Sequence, residues 1–353
     1  MTILGVVGVV AAVLIAVIIL YLVVVIFAPG FTVPKQPLQR PEPATREGAG
    51  SASEKPPASR RDASFDVGGN SVSAWLYLPD DLSAPVPCIV MNHGFGGTKD
   101  MALEAYALRF QQAGLAVLTY DYRYFGESEG EPRQLFSIPD QLEDCIAAIQ
   151  YVRDLPEVDP DRVALWGTSA GGGYGLVIAA QDERIACVCA QCSALDSEEA
   201  GKLALEREGL GFFLRLFVHA QRDKGRSRFG LSAHRIPIVG KPGSTAMITA
   251  PGAFEGYSML ASGGLINQVC ARVLLMTHGY NPIDHVEQVR CPVLLQFCEK
   301  DNLVSMGSGL RSAELLGEYA QVKQYPIGHF DIYFGEHFER AVRDQIEFFE
   351  KHL

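Results

Sequence analysis

Positive charge is in short supply in this chain, with 30 Lys and Arg against 41 Asp and Glu and a net charge of −11 over 353 residues. Phosphate binding needs clustered cations, so a nucleic-acid partner is excluded and an acidic soluble face is the plain reading. Cysteine lacks any ligand or loop spacing. Its eight positions (Cys88, Cys145, Cys187, Cys189, Cys192, Cys270, Cys291 and Cys298) fall mainly in apolar strand-like or helix-like stretches, which predicts reduced core thiols in a reducing compartment. Cys187, Cys189 and Cys192 lie close together, but a Cys-x-Cys within an apolar strand cannot wrap a tetrahedral metal without further ligands. No metal and no cofactor is expected. Disorder throughout is excluded by 48% apolar against 20% charged residues, enough to build one large domain with an insertion.

Charge is missing altogether from Ile3 to Phe27, a run of Ile, Leu, Val, Ala and Gly long enough to cross a ~30 Å hydrocarbon core. A cleaved signal peptide would have a shorter apolar region, basic residues before it and a small-x-small site after it. Residues 1–28 are therefore read as a single-pass transmembrane anchor. Lys35, Arg40 and Arg46 follow the span and nothing basic precedes it but the α-amino group, which favours a cytoplasmic body. Residues 29–62, with prolines at 29, 34, 37, 41, 43, 56 and 57, read as a linker with little to bury.

The globular part, 63–353, opens on a hairpin: Ser64 to Val67, the turn Gly68-Gly69-Asn70, and Ser71 to Leu78. Strands and helices then alternate. Strands are predicted over Val86–Asn92, Leu115–Tyr120, Arg162–Trp166, Ile185–Gln191, Val293–Glu299 and Val322–Tyr325. Helices are predicted over Asp100–Ala113, Ile138–Arg153 with Ser137 as N-cap, from Ala170, over Met306–Leu316 and over His337–His352. This alternation implies an α/β fold with a mostly parallel central sheet and helices on both faces. Between about 193 and 290 the rhythm breaks into an apolar helical stretch (Leu210–Ala220), a basic loop (Arg222–Arg228) and a Gly- and Pro-rich section (Ile236–Gly264). An insertion there would lie as a cap over the C-terminal ends of the strands, where open α/β sheets place their ligands.

Gly167-Thr168-Ser169-Ala170-Gly171 stands between a predicted strand and a predicted helix. Small residues around the serine let the strand turn sharply into the helix, which leaves the hydroxyl exposed above the sheet. A serine hydroxyl is a weak nucleophile and needs an imidazole oriented by a carboxylate. Asp301 and His329 each lie just past a downstream strand and emerge at the same sheet edge, in the order Ser, Asp, His. His219, His234, His278 and His285 belong to the insertion, His337 and His352 to the last helix, and His93 precedes the serine. Asp301 is preferred to Glu299, still within its strand, to Asp331, which adjoins the histidine, and to Asp284 in the cap. The run His93-Gly94-Phe95-Gly96-Gly97 follows a strand, and the backbone N–H groups of Phe95 and Ala170 are the expected donors to an oxyanion.

These blocks resemble the α/β-hydrolase superfamily over roughly 63–353. Asp121-Tyr122-Arg123-Tyr124-Phe125-Gly126-Glu127-Ser128 looks like its turn after the fourth strand, Asp301-Asn302-Leu303-Val304 like its acid loop and Gly328-His329-Phe330 like its histidine loop. The resemblance implies acyl chemistry on a small-molecule substrate, partly hydrophobic, with Ser169, Asp301 and His329 in the triad roles. HGFGG in place of HGGG argues against the hormone-sensitive-lipase-like esterases and for the lid-bearing esterase, dienelactone-hydrolase-like and serine-aminopeptidase-like branches. The reading is a membrane-anchored serine hydrolase of esters or related acyl bonds. A peptidase, an acyltransferase and a catalytically dead tethered binding protein stay open as alternatives. Phe212, Phe213, Phe217, Phe254 and Tyr257 either wall an acyl site or simply pack the cap.

Overall fold

The computed structural model describes residues 3–29, 32–38 and 60–353. Helix α1 (Ile3–Phe27) is apolar along its whole length, and by length and composition it can cross a membrane. Strands β1 (Arg60–Val67) and β2 (Asn70–Tyr77) pair antiparallel across Gly68 and Gly69, both at positive φ, the conformation a two-residue hairpin turn demands. There follow β3 (Val86–Asn92), α2 (Leu103–Gln112), β4 (Ala116–Tyr120), α3 (Ile138–Arg153), β5 (Val158–Thr168), α4 (Ala170–Ala179) and β6 (Ile185–Gln191). The interval before the next long strand holds α5 (Ser197–Glu208), α6 (Leu210–Arg228), α7 (Ala253–Leu260), α8 (Val273–Met276) and a small ribbon of β7 (Arg235–Ile236) and β8 (Val269–Cys270). The chain closes with β9 (Val293–Cys298), α9 (Met306–Leu316), β10 (Ala320–Tyr325) and α10 (Gly335–His352).

The eight long strands form one sheet in the order β1-β2-β4-β3-β5-β6-β9-β10, antiparallel at β1-β2 and β2-β4 and parallel elsewhere. One apolar core lies between the sheet and α3, α4 and the cap, the other between the sheet and α2 and α10. Strand β5 is central and buried on both faces, which is why Val163 to Trp166 is a continuous apolar run. Beneath it, Gln345 of α10 donates to Gln191 (2.9 Å) and Gln296 (2.6 Å) and accepts from the Trp166 indole (3.1 Å). These buried amides are satisfied by one another and tie α10 to β5, β6 and β9.

Four expectations need correction. The helix expected from Asp100 starts at Leu103, because residues 98–101 fold into a turn (Met101 N–H to Thr98 O, 2.9 Å) and Ala102 is left-handed. Ser137 occupies the N-cap of α3, but its side chain makes no capping bond, and the helix start is set instead by proline in its first turn. The basic loop Arg222–Arg228 is helix: α6 runs unbroken through it, Lys and Arg being good helix formers and favourable at a C-terminal end. The expected linker lies partly outside the described residues, but its stretch 32–38 rests on the cap. Lys241 N–H donates to Gln36 Oε1 (3.0 Å), the Asn267 amide donates to Gln36 O (2.6 Å), and Val33 and Leu38 join the core. All eight cysteines are buried and free.

The loop after β3 is locked to the turn after β4. Buried Lys99 donates its ammonium to Asp121 Oδ2 (2.8 Å) and Glu127 Oε2 (2.6 Å), and the same Asp121 carboxylate accepts the N–H groups of Lys99 (2.6 Å) and Glu127 (2.9 Å). Hydrogen bonding to Lys99 holds the Glu127 carboxyl below its ordinary pKa. Replacing Lys99 by Met strips the buried Asp121 of its countercharge while leaving its two backbone donors. Urea unfolding of this variant in detergent is expected to show a loss of about 3 kcal/mol, and a loss below a few tenths would remove the pair from the account of the fold.

Candidate active site

The turn from β5 into α4 is tight. Ser169 is held at φ 54°, ψ −120°, a conformation that L residues avoid unless the surroundings impose it. Here the surroundings are backbone. A Cβ on Gly167 would run into the Gly171 carbonyl, one on Gly171 into the Asn92 carbonyl, and one on Gly172 into the Ser193 hydroxyl. The elbow can form only because these positions carry no side chain. The Ser169 N–H donates to Gln191 O (2.9 Å) and its carbonyl accepts from Ala194 N–H (3.0 Å), so β6 braces the turn from the side.

Asp301 and His329 meet on the loops after β9 and β10. Parallel pairing of these strands, Cys298 opposite Tyr325, brings the two loops out side by side. His329 Nδ1 lies 2.5 Å from Asp301 Oδ2, and both side chains are nearly shut off from solvent. The other carboxylate oxygen of Asp301 accepts the N–H groups of Leu303 (2.8 Å) and Val304 (3.0 Å), which sets the plane of the group. The rival acids are elsewhere engaged or turned away. Asp331 accepts the Gly328 N–H (2.8 Å) and shapes the histidine loop, Glu299 is exposed, and Asp284 lies in a short 3-10 helix of the cap.

Ser169 and His329 line one cavity of about 350 Å³, together with Phe95 and Ala170. A smaller recess of about 40 Å³ also reaches Ser169 and His329 and adds His93, Gly94 and Gly97. Gly94 passes so close to Ser169 that a Cβ there would touch the Ser169 Cβ at 3.3 Å. Among the described residues the N–H groups of Phe95 and Ala170 have no hydrogen-bond acceptor, and Ala170 opens α4, where the helix dipole favours negative charge. Burial pushes the His93 imidazole below its ordinary pKa, and its ring packs against Tyr122 at 4.4 Å. That ring is structural.

Residues that sequence reasoning did not assign also belong to the cavity, among them Ile138 of α3, Tyr174 of α4 and, from the cap, Thr249, Thr277 and Tyr280. No spacing pointed to the cap residues, because the cap folds back over the sheet from distant positions. Phe212, Phe213 and Tyr257 are wall residues; Phe254 is buried under Lys241, and Phe217 is exposed. Tyr257 has a second contact: its hydroxyl donates to Phe95 O (2.9 Å), so the cap holds the loop after β3 directly.

The donor atoms of Cys192, Asp301 and His329 fall within 4.8 Å of one another, a geometry that bears on metal binding among the described residues. Asp301 and His329 are bonded to each other, and Cys192 lies 3.0 Å from Cys298, whose hydrogen bond together with burial pushes the Cys192 thiol far up. A neutral thiol beside a carboxylate–imidazole pair is a poor ligand set, since metals take the thiolate.

A parallel sheet interrupted by a cap, with a serine elbow after its central strand and a carboxylate–histidine pair on the last two strand loops, defines a class. The chain belongs to the α/β-hydrolase superfamily and is a hydrolase on that fold. Residues 68–228 match the X-Pro dipeptidyl-peptidase family (S15). The quorum-quenching protein AidA of Acinetobacter baumannii is 42% identical over 297 residues, 84% of this chain and 96% of the relative. A thiohydrolase of Aspergillus aculeatus, aneE, is 35% identical over 131 residues, 37% of this chain and 40% of the relative. The crystal structure of the α/β-hydrolase GrgF from a Penicillium species superposes with a TM-score of 0.71 at 25% identity, covering 83% of this chain and 98% of GrgF.

The elbow gives a direct test. Gly171→Ala forces a methyl group onto the Asn92 carbonyl, and overpacking of this kind costs about 1–3 kcal/mol. The variant is expected to unfold at lower denaturant and to lose reaction with a fluorophosphonate at Ser169; a variant of wild-type stability and reactivity would show that the turn has room to spare.

Proposed function

We propose that the chain is a membrane-anchored serine hydrolase that cleaves an ester or related acyl bond through an acyl-enzyme intermediate. The observation that carries this reading is the 2.5 Å contact of His329 Nδ1 with buried Asp301, which turns the other imidazole nitrogen away from the carboxylate while Ser169 and His329 share one cavity. His329 takes the hydroxyl proton as Ser169 attacks the acyl carbonyl, and Asp301 stabilises the imidazolium that forms. The developing oxyanion accepts from the N–H groups of Phe95 and Ala170. His329 then gives its proton to the leaving group. A water, for which the recess beside Gly94 has room, repeats the sequence on the acyl-enzyme and releases the acid.

An acyl substrate without a free amine fits better than a peptide N-terminus. Of the acids that could hold an amine, Glu199 is paired with Arg311 (2.8 Å) and Ser305 (2.5 Å), Glu208 with Arg207 (2.8 Å), and Asp196, which does reach the cavity, with the start of α5 and with Arg311 (3.0 Å), while Glu198 and Glu206 are exposed and do not line the cavity. The remaining walls are mostly apolar and aromatic, suited to an acyl chain.

Three outcomes are expected for the full chain in detergent. Ser169→Ala abolishes fluorophosphonate labelling and lowers turnover of p-nitrophenyl esters by about 10⁶-fold. Asp301→Asn keeps the fold and lowers turnover by about 10⁴-fold, because the imidazole is left in the wrong tautomer. Esters are cleaved and aminoacyl amides are not; preferential cleavage of amides would move the enzyme to the peptidases. Lys35 and the basic residues after the span favour a cytoplasmic body, and a reporter fused at the C-terminus that is active only outside the cytoplasm would overturn that orientation.

A further inference from the structure

Helix α6 has two apolar faces, and the cavity uses one of them. Phe212, Phe213 and Leu216 line the chamber that holds Ser169. Leu210, Leu214 and Phe217, spaced four and three apart and so on one stripe of the helix, are 65%, 56% and 41% exposed. The same spacing continues through Gln221, Lys224 and Arg228, and these three line a groove against Ile19, Leu22, Val23 and Ile26 of α1. One stripe therefore runs from open apolar surface onto the end of the apolar N-terminal helix.

The junction is held by more than apolar contact. Arg222 Nη1 donates to the last carbonyls of α1, Val25 O (2.5 Å) and Ile26 O (3.3 Å), and Arg226 Nη1 donates to Ile26 O (3.3 Å). The rings of Phe27 and Phe229 meet at 5.3 Å, and Gly225 lets Ile26 approach to where a Cβ would stand. A guanidinium bonded to the final turn satisfies carbonyls that would otherwise be left at the membrane surface. With residues 3–27 across a bilayer, Phe27 lies at its boundary, and α6, fastened to that end, lies there too.

On this basis we propose that the Leu210–Leu214–Phe217 face of α6 is seated in the bilayer interface, with Lys224 and Arg228 at the level of anionic headgroups, and that the substrate is an ester carrying an aliphatic chain that reaches the cavity from the membrane. The inference rests on the anchored serine-hydrolase reading above. Its physical basis is continuity: three large apolar side chains in water are costly, the bilayer is already adjacent through α1, and an amphipathic helix with basic residues on its polar margin binds such an interface. A helix with one face in lipid and the neighbouring face on the catalytic chamber leaves an apolar chain a short path between them.

The test uses the full chain reconstituted in phosphatidylcholine–phosphatidylglycerol vesicles. Leu210→Ser, Leu214→Ser and Phe217→Ser are combined, and kcat/KM is measured for p-nitrophenyl dodecanoate dissolved in the vesicles and for p-nitrophenyl acetate in water. At least a tenfold loss on the dodecanoate with less than a twofold change on the acetate is expected; equal effects on both esters overturn the proposal. A second variant, Phe217→Trp, is read by fluorescence against the wild-type chain in vesicles of brominated phosphatidylcholine. Quenching of the added emission by half or more is expected, and no quenching overturns the interfacial placement, as does a shift from dimer to monomer on serine substitution, which would assign the face to a second copy. Wild-type protein that hydrolyses neither ester through Ser169 sinks the serine-hydrolase reading and the substrate class with it, while the quenching still decides where α6 lies.

Discussion

Everything at the catalytic end of the sheet depends on a backbone collision that does not occur. Strand β5 must turn into α4 within the width of one residue, and the carbonyls of Asn92 and Gly171 come so near the turn that only glycine fits at Gly167 and Gly171. Because the space is filled by backbone, the left-handed conformation of Ser169 cannot relax, and the strain is retained by the packing of β3 and β6 on either side. The consequence is positional. The serine stands above the sheet at the one place where the loops from β3, β9 and β10 also end, and the N–H of Ala170 is left pointing from a helix start.

The other constraints serve to hold partners against that fixed point. Lys99 and Asp121 bind the loop after β3 to the turn after β4, so Phe95 cannot drift from Ser169. Asp301 is oriented by two backbone donors before it meets His329. Tyr257 reaches down from the cap to the Phe95 carbonyl, so the roof of the cavity and the loop after β3 are one unit. A movement of the cap would therefore be felt beside Ser169 through a single hydrogen bond.

The cap is also where the chain departs from a plain globular hydrolase. Helix α6 contributes to the cavity wall on one side and, through Arg222 and Arg226, holds the end of α1 on another. Helix α1 and the chamber are thus separated by the thickness of one helix.

Much of this was legible in residue order. The apolar run of 3–27, the Gly-Gly turn of the hairpin, the strands Val86–Asn92 and Ile185–Gln191 and the helices Ile138–Arg153 and Met306–Leu316 were readable to the residue, because local periodicity and turn chemistry decide them. Ser169, Asp301 and His329 each follow a strand that a parallel sheet must end at one edge, and the structure puts Asp301 against His329 and His329 in one cavity with Ser169. What the order of residues could not supply was anything set by non-local contact. The rest of Gln36 on the cap came from partners more than 200 residues away, and the cavity walls at Thr249, Thr277 and Tyr280 from the path of an insertion without periodic pattern. Sequence alone determined the elements and the chemistry carried at their ends, because those follow from neighbours along the chain; the tertiary structure decided what covers the serine and what the cap leans on, because those depend on surfaces that exist only once the sheet has formed.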